Sequence, residues 1–130
     1  MASSSFSATF NVNGKKYEVL SCNYSFGQAT DEKNRPASGV HGGNISITVV
    51  ATDDTDLIGW MIDPYKKQDG SIVFHQIDQA STFKEVKFKD GYCVSYSEKF
   101  DSTASKPMTA SFSISAREIS VGDATHSVNW

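Results

Sequence analysis

A chain of 130 residues with a net charge of −3 is long enough for one domain with a core that needs no covalent staples. Its 12 basic side chains against 15 acidic ones argue against a general affinity for nucleic acid, which requires a basic patch or stripe. No apolar run approaches the roughly 18 residues of a membrane-spanning helix.

The opening MASSSFSATF lacks the basic and apolar regions of a secretory leader, so the chain is expected to fold in a cytoplasm without membrane insertion. Residues 1–5 are expected to be flexible, and Phe6, Ala8, Phe10 and Val12 then alternate with polar residues as a half-buried strand does. Asn13-Gly14 is a strong two-residue hairpin signal. A turn there pairs Phe10 with Tyr17, Ala8 with Val19 and Thr9 with Glu18, keeping apolar pairs on one face. After Val19 the apolar parity shifts to Leu20, Cys22, Tyr24 and Phe26, which calls for a bulge or a corner of the kind a curling sheet needs.

Residues 27–43 read as a long polar loop, and Ile45, Ile47 and Val49 resume the alternation. In DDTDLIGWMIDPY, residues 53–65, the apolar stripe Leu57, Ile58, Met61, Ile62 and Tyr65 has helical spacing. Asp53, Asp54 and Thr55 are candidate N-caps, and Pro64 ends or distorts the last turn. SIVFHQI, residues 71–77, is apolar on both parities and should be covered on both sides. Val86 and Phe88 lead into Lys89-Asp90-Gly91. Parity there favours a three-residue turn with Gly91 left-handed, pairing Phe88 with Tyr92 and Val86 with Val94. Met108, Ala110, Phe112, Ile114 and Ala116 form a last alternating strand. The sum is one mainly β domain over residues 1–130: an antiparallel, closed or nearly closed β-barrel of about seven strands with one short α-helix.

The residues offer little chemistry. Asp53, Asp54 and Asp56 lack the glycine and distal glutamate of a calcium loop, and helix capping explains them. His41, His75 and His126 are too dispersed for metal-ligand spacing. GVHGG lacks the lysine and spacing of a phosphate loop, and no serine stands in a nucleophile elbow. Cys22 and Cys93 are too few for a disulfide framework and are expected to be free. No catalytic, cofactor or metal site is expected. That leaves binding or assembly, with a monomeric ligand-binding β-barrel as one reading.

The other reading rests on a resemblance. NGKKYEVLSCNYSF, the polar loop with DEKNRP, the helix and strand DDTDLIGWMIDPYKKQDGSIVFHQID, then YCVSYSEKFDS, PMTASFSISAREISVG and a terminal Trp130 together resemble the Hcp, or TssD, family. These are tube proteins of type VI secretion systems, and the order of parts is similar to the branch found in Bacteroidetes, over about Phe6 to Trp130. The resemblance implies a non-enzymatic β-barrel with one helix, akin to phage tail-tube proteins. It implies hexameric rings that stack into a tube within a contractile sheath, with spike and baseplate proteins as partners. It also implies effectors carried in the lumen, and export by the apparatus itself without a signal peptide. In this family the long loop reaches toward the next ring. The charged tip Asp31, Glu32, Lys33, Arg35 and Pro36, followed by Val40 and His41, is therefore the candidate ring-stacking or oligomer interface.

Overall fold

A computed structural model describes residues 6–26, 31–33, 35, 43–76 and 81–127. The elements in chain order are β1 (Phe6–Val12), β2 (Lys15–Tyr24), β3 (Asn44–Val50), α1 (Asp56–Ile62), β4 (Gln68–Gln76), β5 (Ser81–Phe100), β6 (Met108–Val121) and β7 (Ala124–Ser127). Strand neighbours run β3-β2-β1-β4-β5-β6-β7, and pairing of β3 with β6 closes the first six into an antiparallel barrel. β7 lies outside the closed barrel, paired to β6 alone.

The β1–β2 hairpin has the expected register, with Phe10 opposite Tyr17 and Thr9 opposite Glu18. Asn13 and Gly14 both take positive φ, 52° and 75°, the backbone of a turn whose twist matches its strands. The register slips between Val19 and Ser21, so the parity change is a bulge at Leu20. Beyond it Cys22 and Tyr24 pack against the core as expected, whereas Leu20 and Phe26 stay exposed. Ile45, Ile47 and Val49 from β3 and Ala110, Phe112, Ile114 and Ala116 from β6 are buried, as their alternation requires. The aromatic rings meet at the centre. Phe10 stacks on Phe88 at 6.1 Å and meets Phe112 at 5.4 Å, and Trp60 also stacks on Phe88, at 6.3 Å.

Three expectations are corrected. Residues 81–100 form one continuous strand with no turn at Lys89-Asp90-Gly91. The left-handed residue is Asp90, with φ 53°, and it belongs to a bulge opposite Gln68–Gly70. Asp90 accepts from the Arg117 Nε at 2.7 Å, and its own N–H donates to Asp69 Oδ1 at 2.9 Å, so the strand bends without reversing. Gly91 serves close packing: a Cβ there would stand 2.8 Å from Ile114 Cγ2 and 2.9 Å from the Phe88 ring. The seven strands are therefore reached with β5 unbroken and with β7, entered through Gly122 at φ 59°, as the seventh.

The helix is shorter than its apolar stripe. Asp63 turns extended and ends it, so Ile62 and Tyr65 are 74% and 85% exposed, and Leu57 with Trp60 forms the buried side. Thr55 holds the N-cap position without a side-chain bond. The Asp56 N–H is met instead by Asp54 Oδ1 at 3.1 Å. On β4, Ile72 is fully buried, but Val73, Phe74, His75 and Gln76 are half-buried, so the second face is only partly covered.

Candidate assembly surfaces

The charged tip of the long loop organises itself around one carboxylate. Asp31 Oδ1 accepts from the Lys33 N–H at 2.9 Å and the Arg35 N–H at 3.0 Å. Asp31 Oδ2 accepts from the Arg35 Nε at 3.0 Å, and the Asp31 N–H donates to the Arg35 carbonyl at 2.8 Å. The Arg35 N–H first, then Lys33 and the guanidinium, hold the Asp31 carboxyl below its usual range. A short acidic residue that caps its own turn is a familiar device, and it presents Glu32, Lys33 and the Arg35 guanidinium outward. Asp31, Glu32, Lys33 and Arg35 are thus brought together. Pro36, Val40 and His41 lie outside the described residues.

A second surface was not singled out from the sequence. Four strands in the order β2-β3-β6-β5 carry two aligned rows of small polar side chains on their outer face. One row runs Asn23, Ser46, Ser113, Ser95, and the next Ser21, Thr48, Ser111, Ser97. Hydroxyls couple across the strands, Thr48 to Ser111 at 2.9 Å and Ser46 to Ser113 at 3.3 Å. Neither row contains a charge. The signal was present in SIT, SYS and TASFSIS, where a hydroxyl recurs at every second residue. Only the register shows that these segments align.

The aspartates before α1 act as a junction. Tyr17 donates its hydroxyl to Asp54 at 3.0 Å, Thr52 donates to the same carboxylate at 2.8 Å, and Lys15 bridges Asp56 at 2.8 Å. The β1–β2 turn is thereby tied to the start of the helix. Burial pushes Asp54 up, but the bonds from Thr52, Asp56 and Tyr17 with the Lys15 charge outweigh it and leave the carboxyl below its usual range. Burial and then Asp54 push the Tyr17 hydroxyl well up. At the other end of α1, Trp60 Nε1 donates to the carbonyls of Lys66 and Gly91, both at 3.1 Å. Cys22 and Cys93 are free thiols, and burial pushes each up to about 11. Among the described residues no three His, Cys, Asp or Glu side chains gather as a metal-binding group.

The family model for "Hemolysin coregulated protein Hcp (TssD)" matches residues 4–130. The chain belongs to the Hcp (TssD) family. Hcp1 from Flavobacterium johnsoniae matches with a TM-score of 0.88 and 39% identity, over 94% of this chain and 99% of that one. Hcp1 from Salmonella typhimurium matches with a TM-score of 0.72 at 13% identity, over 95% and 92% of the two chains. A sheath/tube terminator of PVC, an extracellular contractile injection system, matches with a TM-score of 0.57 at 15% identity, over 88% and 91%. At those last two identities the likeness shows a shared fold. No curated protein sequence matches the chain. Hcp proteins are structural tube proteins secreted by the type VI system, and the family is not an enzyme family. No helix among the described residues is long and apolar enough to cross a membrane.

Proposed function

We propose that the chain is the tube subunit of a type VI secretion system, forming hexameric rings that stack into a hollow tube and leave the cell when the sheath contracts. The observation that carries this reading is the agreement with Hcp1 over nearly the full length of both chains. The barrel's construction supports it. Phe10, Phe88 and Phe112 fill the interior, so the volume a ligand-binding barrel would use is occupied by side chains.

The two-row hydroxyl face is the wall of the ring's hole. A surface of small, uncharged, mutually bonded side chains offers a passing cargo neither ion pairs nor an apolar patch. Effector carriage then depends on polar contacts that release readily. The turn Asp31–Arg35 projects the loop toward the next ring, where Lys33 and Arg35 meet acidic groups; Pro36, Val40 and His41 complete that contact. Sheath, spike and baseplate proteins are the remaining partners.

Light scattering and negative-stain microscopy of the purified chain test the reading, and the expected result is a six-fold ring with a central hole. A monomer at micromolar concentration overturns it. Replacing Asp31–Ser38 with a short Gly-Ser linker separates stacking from folding. Loop length enters stability only logarithmically, about 0.6 kcal/mol per doubling. Rings with a nearly unchanged melting temperature but no tubes are expected, and normal stacking refutes the loop's role.

A further inference from the structure

Bulges in this barrel push apolar side chains into water. The extra residue in β2 opposite β3 is Leu20, since Val19 faces Val49 while Ser21 already faces Thr48. The extra residue in β5 opposite β4 is Phe83, since Phe74 faces Lys84 and His75 faces Thr82. The extra residue in β5 opposite β6 is Val94, since Cys93 faces Ile114 and Ser95 faces Ser113. These three side chains are 42%, 56% and 52% exposed. Each bulge interrupts the hydrogen-bond ladder and re-aims one side chain. Whatever each bulge does for the curvature of the barrel, it leaves a leucine, a phenylalanine or a valine about half in water in the isolated subunit.

The three residues fall on two separate grooves. Leu20 and Phe83 flank one formed by Phe6, Cys22 and Phe74, in which Phe6 and Phe83 meet edge to face at 5.1 Å. Val94 lines the other with Met61, Pro64 and Tyr92. The hydroxyl face lies between them: Leu20 adjoins it at Ser21 on β2, and Val94 adjoins it at Ser95 on β5, its opposite edge. The grooves also differ in charge. The first carries Lys84, whose Nζ stands 5.8 Å from the Phe83 ring centroid and makes no ion pair among the described residues. The second carries Asp63, whose Oδ1 accepts from the Tyr65 N–H.

We infer that the Leu20–Phe83 groove of one subunit receives the Val94–Met61 groove of the next copy of this chain, with Lys84 facing Asp63 across the junction. This mapping rests on the ring reading above and says which surfaces build it. Self-pairing of either groove would bring two like charges to one junction, whereas pairing of the unlike grooves brings Lys84 to Asp63, and a contact between unlike surfaces is the kind that propagates around a ring. Placed at the two edges of the hydroxyl face, they turn that face of each subunit toward a common centre.

The test uses the full chain with Phe83→Glu and Val94→Glu, both at exposed positions. Each variant alone is expected to keep its circular dichroism spectrum and melt as a monomer. Mixed one to one, they retain a single intact junction, so light scattering should show a species of twice the monomer mass and no ring. Rings from either variant alone, a dimer from one variant alone, or no dimer on mixing each overturn the mapping while leaving the ring reading in place. A monomeric parent chain overturns the ring reading itself. If a glutamate variant fails to fold, the charge pair carries the test. Asp63→Lys should weaken ring formation about tenfold, and adding Lys84→Asp should restore it. A double variant no better than the single overturns the mapping.

Discussion

Removing the Trp60 side chain should unseat the helix from the barrel. Trp60 is fully buried, stacks on Phe88 with planes 8° apart, and satisfies two carbonyls, Lys66 and Gly91, with one indole N–H. Truncation of such a residue to alanine costs about 3–5 kcal/mol. At an unfolding entropy of about 2.1 cal/mol/K per residue, a chain of 130 residues loses about 11–18 °C of melting temperature for that cost. Trp60→Phe keeps a ring against Phe88 but leaves both carbonyls without their donor. An unpaired buried group costs about 1–3 kcal/mol, so that variant should fall by about 4–11 °C. Far-UV circular dichroism melts of parent and variants, at equal concentration because association raises the apparent midpoint, provide the measurement. An alanine variant within about 4 °C of the parent refutes the anchoring role. A phenylalanine variant as damaged as the alanine one refutes the division between stacking and hydrogen bonding.

Asp54→Asn should lower stability at pH 7 by about 1 kcal/mol. Because the native carboxyl titrates below its unfolded value near 3.9, its stabilisation is complete above that value and is lost as pH falls through the native pKa. The melting gap between parent and variant should therefore close below about pH 4, and an unchanged gap at pH 2 contradicts the junction drawn here. With both thiols pushed up to about 11, the native thiolate fraction at pH 8 is about one in a thousand, so thiol labelling should run at least about a hundredfold slower than in urea. Rapid native labelling, or a mass two hydrogens low after purification without reductant, would count against two free thiols held in the thiol form, Cys93 buried and Cys22 half-buried. Gly70→Ala should cost about 1–3 kcal/mol, because the new Cβ would stand 2.6 Å from the Asn11 carbonyl and 2.7 Å from Phe88 Cζ. Gly59→Ala, in the helix with nothing within 4 Å, should instead stabilise by up to about 1 kcal/mol, and matching melting shifts for the two would refute this assignment of the glycines.

The parts of the fold legible in the sequence are those set by neighbours in the chain. Asn13-Gly14 dictates a turn through its own backbone, and the alternation in β3 and β6 selects a buried face by parity alone. Lys89-Asp90-Gly91 misleads because its glycine answers to a distant ring: Phe88 and Ile114 leave no room for a Cβ. The helical stripe misleads in a related way. Its spacing favours Ile62 and Tyr65, yet Asp63 leaves the helix and Trp60 is drawn to Phe88 on β5. For the site, the charged tip is legible as composition, but its closure through Asp31 is not. The hydroxyl face is written out in alternating serines that only acquire meaning once four strands align.

Bulges are the least legible feature, and their positions carry the argument for assembly. One extra residue changes the facing of everything beyond it, so a strand with a bulge reads as two short strands or as one with mixed parity. The shift after Val19 is visible because apolar residues lie on both sides of it. At Phe83 and Val94 the flanking residues are polar or small, and parity leaves no trace. Selection for an isolated barrel would favour polar residues at these outward positions, since an apolar one there stays about half exposed. Leu20, Phe83 and Val94 share that anomaly and stand at the edges of the face proposed to line the hole. The property joining them is the one a subunit needs when its final burial comes from its neighbours.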